Sequence, residues 1–368
     1  MKKCSVFVLL AVVALVGCSG ESSPPKDGVK VAYTPTPAPV VATSAKLPVF
    51  SLDYSEYPSW AAFGVAADRG LINPAVGGKM GTLEVKYGVD VELRLLDYDT
   101  CLTQYGSSTA DAACIANTDS LSAAVGRPTT AIMTTSTSFG ADAILAVGID
   151  KLEDLKGVTV YGLENSVSQF NYTRILEKKG LNVSEYPFSN KDPGAASQEM
   201  QTKQPNIKAI AVWEPFVMQT LRQRTDAKKI VDSTIIPNEI FDLVLMGNDS
   251  LKKDGGESFA VCICDTFYQV NQMLADPKTS DATYVALGEK FSSLGLDDMK
   301  KVCTEVKFFG TKEAGIWIFS GEDLPTAMKE VERFCVAREI VKLPSPKVGY
   351  NEPRATLNFD SKYMQLVK

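Results

Sequence analysis

The 368-residue sequence contains no histidine. That absence removes Ser-His-Asp and Cys-His triads, histidine-ligated zinc sites and the side chain that usually titrates near neutrality. No cysteine pair forms Cys-x-x-Cys and no cluster has metal-ligand spacing, so neither a metal nor another cofactor is expected. Positive charge is also short: 38 Lys and Arg stand against 44 Asp and Glu, a formal net charge of −6. Nucleic acid is therefore excluded as a partner, because its phosphates call for Lys and Arg. A polybasic membrane patch is excluded for the same reason. Long apolar runs are scarce. The one from Ser5 to Val16 is shorter than the ~20 residues that span a bilayer, and none follows it.

What is present begins at that run. Lys2-Lys3, the apolar stretch and then Leu15-Val16-Gly17-Cys18 have the order of a bacterial lipoprotein signal: charge, apolar core, small residues and a cysteine. Residues 1–17 are expected to be removed, leaving Cys18 as the lipidated first residue. Loss of Lys2 and Lys3 takes the net charge from −6 to −8. The membrane attachment would come from buried acyl chains, on the periplasmic side or the cell surface. Residues 18–46 carry Pro24, Pro25, Pro35, Pro37 and Pro39 among Ser, Thr, Ala and Gly, the composition of a stiff linker. Beyond Cys18 six cysteines remain, Cys101, Cys114, Cys262, Cys264, Cys303 and Cys335. An even number in an exported chain permits disulfides whose pairing the sequence does not choose. Buried free thiols are the equal alternative.

From residue 47 about 320 residues remain, enough for two domains. Strand-like runs at Val49–Leu52, Val89–Leu95, Ala112–Ala116, Thr130–Thr134, Ala143–Val147, Val158–Tyr161, Ile207–Val212 and Ile240–Met246 alternate with helical patterns early in the chain. Mostly helices follow, over 257–274, 282–294, 298–305 and 324–341. Trp60, Phe63, Ala67 and Leu71 recur at helical spacing. The alternation predicts an α/β fold with mostly parallel sheets.

In open parallel sheets ligands sit beyond the carboxyl ends of the strands. The segments there carry two of the chain's three tryptophans, Trp60 and Trp213, and the carboxylates Glu56, Asp119, Asp142, Glu164, Glu214 and Asp242, without a Lys or Arg. Carboxylates accept N–H groups, in bidentate fashion from a guanidinium-like solute. Tryptophan faces add ~0.5–2 kcal/mol each by cation–π attraction. As a set these residues point to a small flat cation. Taken singly each has a structural reading: Asp119 and Asp142 as caps, Glu56 and Glu214 in solvent, Trp60 in the core. Ser166 and Ser168 at a helix start would suit an anion instead.

Six segments carry a family resemblance: Asn117-Thr118-Asp119-Ser120-Leu121, Lys151-Leu152-Glu153-Asp154-Leu155-Lys156-Gly157, Glu164-Asn165-Ser166-Val167-Ser168, Trp213-Glu214-Pro215, Ile236-Pro237-Asn238-Glu239-Ile240-Phe241-Asp242 and Phe359-Asp360-Ser361-Lys362-Tyr363-Met364. From about Ser51 to Met364 the chain resembles the nitrate/sulfonate/taurine-type substrate-binding proteins of bacterial ABC transporters. The match is closest to the branch found beside urea carboxylase-type enzymes, linked to urea or guanidine use. Where that branch has Ser-Asn-Gly-Asn-Asp, this chain has Ser138-Phe139-Gly140-Ala141-Asp142, with two amides replaced.

The resemblance implies a two-lobed type II periplasmic-binding fold with a ligand cleft between the lobes. One lobe would be residues 47–137 plus 245–368 and the other 138–244. It implies a monomeric solute receptor that performs no chemistry and hands its small-molecule solute to an ABC permease and its ATPase. The ligand set it implies is Trp60, Asn117, Asp119, Asp142, Glu164, Ser166, Ser168, Trp213, Glu214 and Asp242. The competing ligands are an aliphatic sulfonate, nitrate or a thiamine-precursor pyrimidine. Outside the binding class stand an extracytoplasmic lipoprotein enzyme, for which no activated nucleophile is evident, and a structural surface lipoprotein.

Overall fold

A computed structural model describes residues 47–291 and 294–368. The expected signal peptide 1–17, the lipidated Cys18 and the linker 18–46 lie outside the described residues. The strands are β1 Val49–Tyr54, β2 Asp90–Leu95, β3 Ala112–Ala116, β4 Thr129–Ser138, β5 Asp142–Val147, β6 Val160–Gly162, β7 Phe188–Asn190, β8 Ala209–Trp213, β9 Ala227–Asp232, β10 Phe241–Gly247, β11 Val306–Phe308, β12 Val348–Tyr350 and β13 Leu357–Phe359. They build two sheets. The first has the order β12-β13-β4-β10-β3-β1-β2, with β11 also on β4; the second is β7-β6-β8-β5-β9. β3, all small and apolar (Ala-Ala-Cys-Ile-Ala), is buried at every position, as a strand covered on both faces must be.

The sheets are mixed rather than mostly parallel. β10 runs antiparallel to β3 and β4, and β5 runs antiparallel to β8 and β9. The reason is connectivity. β4 leaves the first sheet at Ser138 and crosses through Phe139, Gly140 and Ala141 into β5. The chain returns from β9 through residues 233–240 into β10. A strand that enters from the far side points against its neighbours. The chain enters the first sheet at Phe241, a little before the expected return near Leu245.

The two crossings are tied together. Gly140 N donates to Ser233 Oγ at 2.7 Å, and the Ser138 and Ser233 hydroxyls are 2.7 Å apart. The Thr137 hydroxyl donates to the Ile240 carbonyl at 2.8 Å. Gly140 has φ +112°, a region that an L side chain rarely adopts. Within the first crossing, Phe139 is part-exposed under the Lys307 ammonium, and Ala141 is fully buried.

The long helix Gly256–Ala275 packs on the first sheet with Phe259 stacked on Phe50, ring centres 5.0 Å apart. At the far end of that sheet Arg127, 4 % exposed, donates to the Tyr105 and Ala110 carbonyls and pairs with Asp249. Gly247, the last residue of β10, lies against this guanidinium: a Cβ there would sit 2.3 Å from it. All six described cysteines are free thiols, five of them buried, which answers the pairing question left open above. No helix among the described residues is long and apolar enough to cross a membrane.

Candidate functional site

Antiparallel pairing explains how residues at strand starts and strand ends come to one place. Asp242, second in β10, pairs with Ala116 at the end of β3 and with Ser136 near the end of β4. Asp142, first in β5, pairs with Trp213 at the end of β8. Tyr57, Trp60, Tyr98, Ala116, Asp142, Val167, Trp213 and Asp242 surround one narrow cavity. It has about 250 Å³ of atom-free space. Its walls therefore come from both sheets, and no lysine or arginine is among them.

The aromatic walls hold each other. Trp60 and Tyr98 are stacked with centres 5.8 Å apart, and Tyr57 tilts against Trp60 at 5.0 Å. The Tyr98 hydroxyl is fixed at both ends: it donates to Asp119 Oδ2 at 2.8 Å and accepts from Ala116 N at 3.0 Å. Tyr98 opens the helix Tyr98–Gly106, whose start is set by the Asp97 carboxylate accepting from Thr100 N at 2.8 Å.

Below Asp242 lies a chain of hydroxyls. β4 carries the run Thr134-Thr135-Ser136-Thr137-Ser138, buried throughout. Its register slips between Asp242 and Leu243, leaving Thr135 as an extra residue, and such bulges turn side chains to new directions. The Ser136 hydroxyl bonds to Asp242 Oδ2 and lies 2.8 Å from the Ser59 hydroxyl. Ser59 in turn lies 2.9 Å from Thr135 Oγ1, which donates to the Asp242 carbonyl at 3.3 Å.

Burial dominates the electrostatics. It pushes Asp142 up to about 6, with Ser138 pulling back and the nearby Asp119 adding to the rise. Asp119 also rises to about 6 by burial, against the pull of Tyr98, Thr118, the Val167 N–H and Ser166. Asp242 rises well above the carboxylate range through burial, opposed by Ser136 and reinforced by Asp142. Two polar wall atoms, the Tyr57 hydroxyl and Trp60 Nε1, are buried without a hydrogen-bond partner. Such atoms call for an explanation, and a bound solute is one.

Of the ten residues expected at the site, Trp60, Asp142, Trp213 and Asp242 line the cavity, and Asp119 joins it through Tyr98. Glu164 and Ser166 line a separate recess with Asp99 and Asp119. Ser168 is buried with an unpartnered hydroxyl, away from these walls. Asn117 and Glu214 are occupied by structure. The Asn117 amide donates to the Glu239 carbonyl at 3.0 Å and accepts from Phe241 N at 2.8 Å, pinning the start of β10. Glu214 accepts from Met218 N at 3.2 Å at the head of the helix Phe216–Gln223, and burial lifts it to about 8. Sequence reasoning missed Tyr57 and Tyr98. The Asp97 cap was the available signal for Tyr98; for Tyr57 there was its place in the segment after β1. A wider recess of about 810 Å³ of atom-free space opens beyond Tyr98 and Trp213, lined by Glu56, Asp97, Asp99 and Asp192. No three His, Cys, Asp or Glu side chains among the described residues are arranged to hold a metal ion.

The sequence matches no family model and no curated protein. Solved structures do resemble the fold. The periplasmic aliphatic sulphonate binding protein SsuA from Escherichia coli is similar with a TM-score of 0.62 at 17% identity, over 80% of this chain and 94% of that one. The alkanesulfonate-binding protein SsuA from Xanthomonas axonopodis pv. citri, bound to MOPS, is similar at 0.64 and 14% identity, over 82% and 97%. A Candida albicans protein described as having the generic periplasmic binding protein fold is similar at 0.56 and 15% identity, over 79% and 91%. At these identities the likeness is one of fold: two α/β layers in the manner of periplasmic binding proteins.

Proposed function

We propose that this chain is the solute receptor of an ABC importer, lipid-anchored at Cys18, and that it captures a small nitrogenous cation of the guanidine or urea-like kind. One observation carries the reading. The walls of the cavity at the edges of both sheets combine two buried carboxyls and four aromatic rings with no lysine or arginine, and a third carboxyl is hydrogen-bonded to one of those rings. A flat cation would set its N–H groups against Asp142 and Asp242 and its faces against Trp60 and Trp213. The lobes, about 47–137 plus 245–368 and 138–244, would close over it by hinge motion at the two crossings. The receptor would act as a monomer, deliver the solute to a permease and its ATPase, and carry out no reaction.

The alternative is an anion such as an aliphatic sulfonate. The solved neighbours from Escherichia coli and Xanthomonas support it by their descriptions, and the unpartnered Ser168 hydroxyl near the start of the helix Val167–Lys178 supports it by chemistry. Against it, the Val167 N–H at that helix start already faces the chain's own Asp119. A sulfonate in the cavity would also meet Asp142 and Asp242 with no countercharge.

Calorimetry with guanidinium, urea, taurine, nitrate and a thiamine-precursor pyrimidine separates the readings. Guanidinium binding at micromolar or tighter affinity is the expected result. Binding of taurine or nitrate alone overturns the cationic reading.

A further inference from the structure

We propose that the site takes up its cation in exchange for a proton held by the carboxyl groups of the cavity, chiefly Asp242. This rests on the cation-receptor reading above.

The geometry has two independent parts. The first is the absence of countercharge. Asp119, Asp142 and Asp242 are 2–3 % exposed. The titratable groups that face them from the surrounding elements are the Tyr57 and Tyr98 hydroxyls, the Cys114 and Cys335 thiols and, across the recess beside Asp119, the Asp99 and Glu164 carboxyls; the other partners are the Thr118, Ser136, Ser138 and Ser166 hydroxyls and the Val167 N–H. None of them is a cation. Buried carboxylates that share a site without a cation do not all ionise, and the group keeps a proton. Asp119 is the best provided for ionisation, because Tyr98 and Thr118 both donate to Oδ2 at 2.8 and 2.9 Å. Asp242 has the Ser136 hydroxyl in contact with its carboxyl and the Tyr57 hydroxyl beside it.

The second part is the hydroxyl chain below Asp242. A hydroxyl carries one proton and can turn it to either side. With Asp242 neutral, its proton goes to Ser136, Ser136 donates to Ser59, Ser59 to Thr135, and Thr135 to the Asp242 carbonyl. With Asp242 ionised, the upper part of the chain turns round: Ser59 donates to Ser136 and Ser136 to the carboxylate, while Thr135 keeps the Asp242 carbonyl and the Ser59–Thr135 contact gives up its hydrogen. Every oxygen of Ser59, Thr135 and Ser136 is within hydrogen-bonding distance for both arrangements. A buried carboxyl served by a reversible chain can change charge without leaving a polar atom orphaned. When a guanidinium-like cation arrives, its charge replaces the proton's. The proton leaves to solvent and the net charge of the cavity is unchanged.

The test is calorimetry with guanidinium chloride at pH 6 and 7.5, each in two buffers of different ionisation enthalpy, on the soluble chain from residue 47. The expected result is release of about one proton per cation and an affinity that rises up to about tenfold per pH unit. Asp242→Asn should bind more weakly, release close to no proton and lose most of the pH slope. Ser136→Ala, which cuts the chain but keeps the carboxyl, should keep binding while its proton release shifts to a different pH. Thermal melting of the ligand-free variants checks that each is folded. Guanidinium binding with no net proton release and no pH slope overturns the exchange and leaves the receptor reading standing. Absence of guanidinium binding at both pH values overturns the cationic reading, and the exchange with it.

Discussion

Tyr98 meets Trp213 edge-on, ring centres 5.6 Å apart, and this contact joins a helix of the first layer to a strand end of the second. Trp213 is 6 % exposed and pairs in the sheet with Asp142, so one residue forms a wall of the cavity and a contact between the two layers together. Trp213→Ala removes a cation–π partner and half of the aromatic contact. Guanidinium affinity is expected to fall by about 10- to 100-fold, from the ~0.5–2 kcal/mol of each interaction together with poorer closure. Calorimetry on the variant, with a melting curve to establish its fold, reads the loss.

Stability of the ligand-free protein should fall as pH rises from about 4 to 8. Asp119 and Asp142 are raised in the folded state to about 6, so between their unfolded and folded values the native chain binds more protons than the unfolded one. Stability from each is fully present below pH 4 and lost as pH passes about 6, roughly 3 kcal/mol for a carboxyl raised this far. Glu214, raised to about 8, extends the decline. Asp111, lowered by Lys253 and Ser250 despite its burial, and Glu177, lowered chiefly by Arg333, act oppositely at acid pH. The melting temperature is thus expected to peak near pH 4. At pH 8 Asp142→Asn should melt higher than the parent while binding guanidinium less well. A melting temperature that rises steadily from pH 5 to 8 contradicts this account.

A network of charges bridges the layers at the rim. Arg174, 8 % exposed as a side chain, reaches Glu239 at 2.7 Å on the returning crossing and Glu330 at 3.1 Å on the helix Asp323–Ala337. Arg333 of that helix pairs with Glu177. Exposed pairs of this kind contribute ~0–1 kcal/mol, so Arg333→Ala should leave the melting temperature nearly unchanged. By loosening the closed form it should speed solute release by a few-fold, read by stopped-flow tryptophan fluorescence. Arg174→Leu removes the guanidinium shared by Glu177, Glu239 and Glu330, which keep Arg333 and Lys178 as partners, and is expected to cost about 1.5–3 kcal/mol.

Gly247→Ala tests the far end of the first sheet. The new methyl would press on the Arg127 guanidinium, which two carbonyls and Asp249 hold in place. Overpacking of this sort costs about 1–3 kcal/mol. Urea unfolding should record the loss with guanidinium affinity retained.

Much of this was legible in the residues, and the gaps have physical causes. β3 and β10 read as apolar runs because both their faces are covered. Asp142, Trp213 and Asp242 emerged from the strand-end rule even though two of them lie at strand starts, since an antiparallel neighbour brings a start beside an end. That reversal itself was invisible: an apolar run carries no sign of its direction. Tyr98 escaped because its helix is short and rests on a local cap rather than on a long apolar stripe. The hydroxyl chain escaped because a bulge, which no periodicity announces, turns Thr135 and Ser136 toward Ser59 and Asp242. Asn117 illustrates the opposite error. A buried amide at a strand end resembles a ligand group, but both of its polar atoms go to the backbone of the returning chain.

Asp142 is the first residue of β5 after the outward crossing, and Asp242 is the second of β10 after the return. A solute gripped there pulls at the fulcrum of the receptor proposed above. The ion pairs Arg333–Glu177 and Arg222–Asp298 would then sit on the long arm. In that receptor a slight contraction between two carboxyls would become a wide sweep at those pairs, and the solute could be far smaller than the gap it shuts.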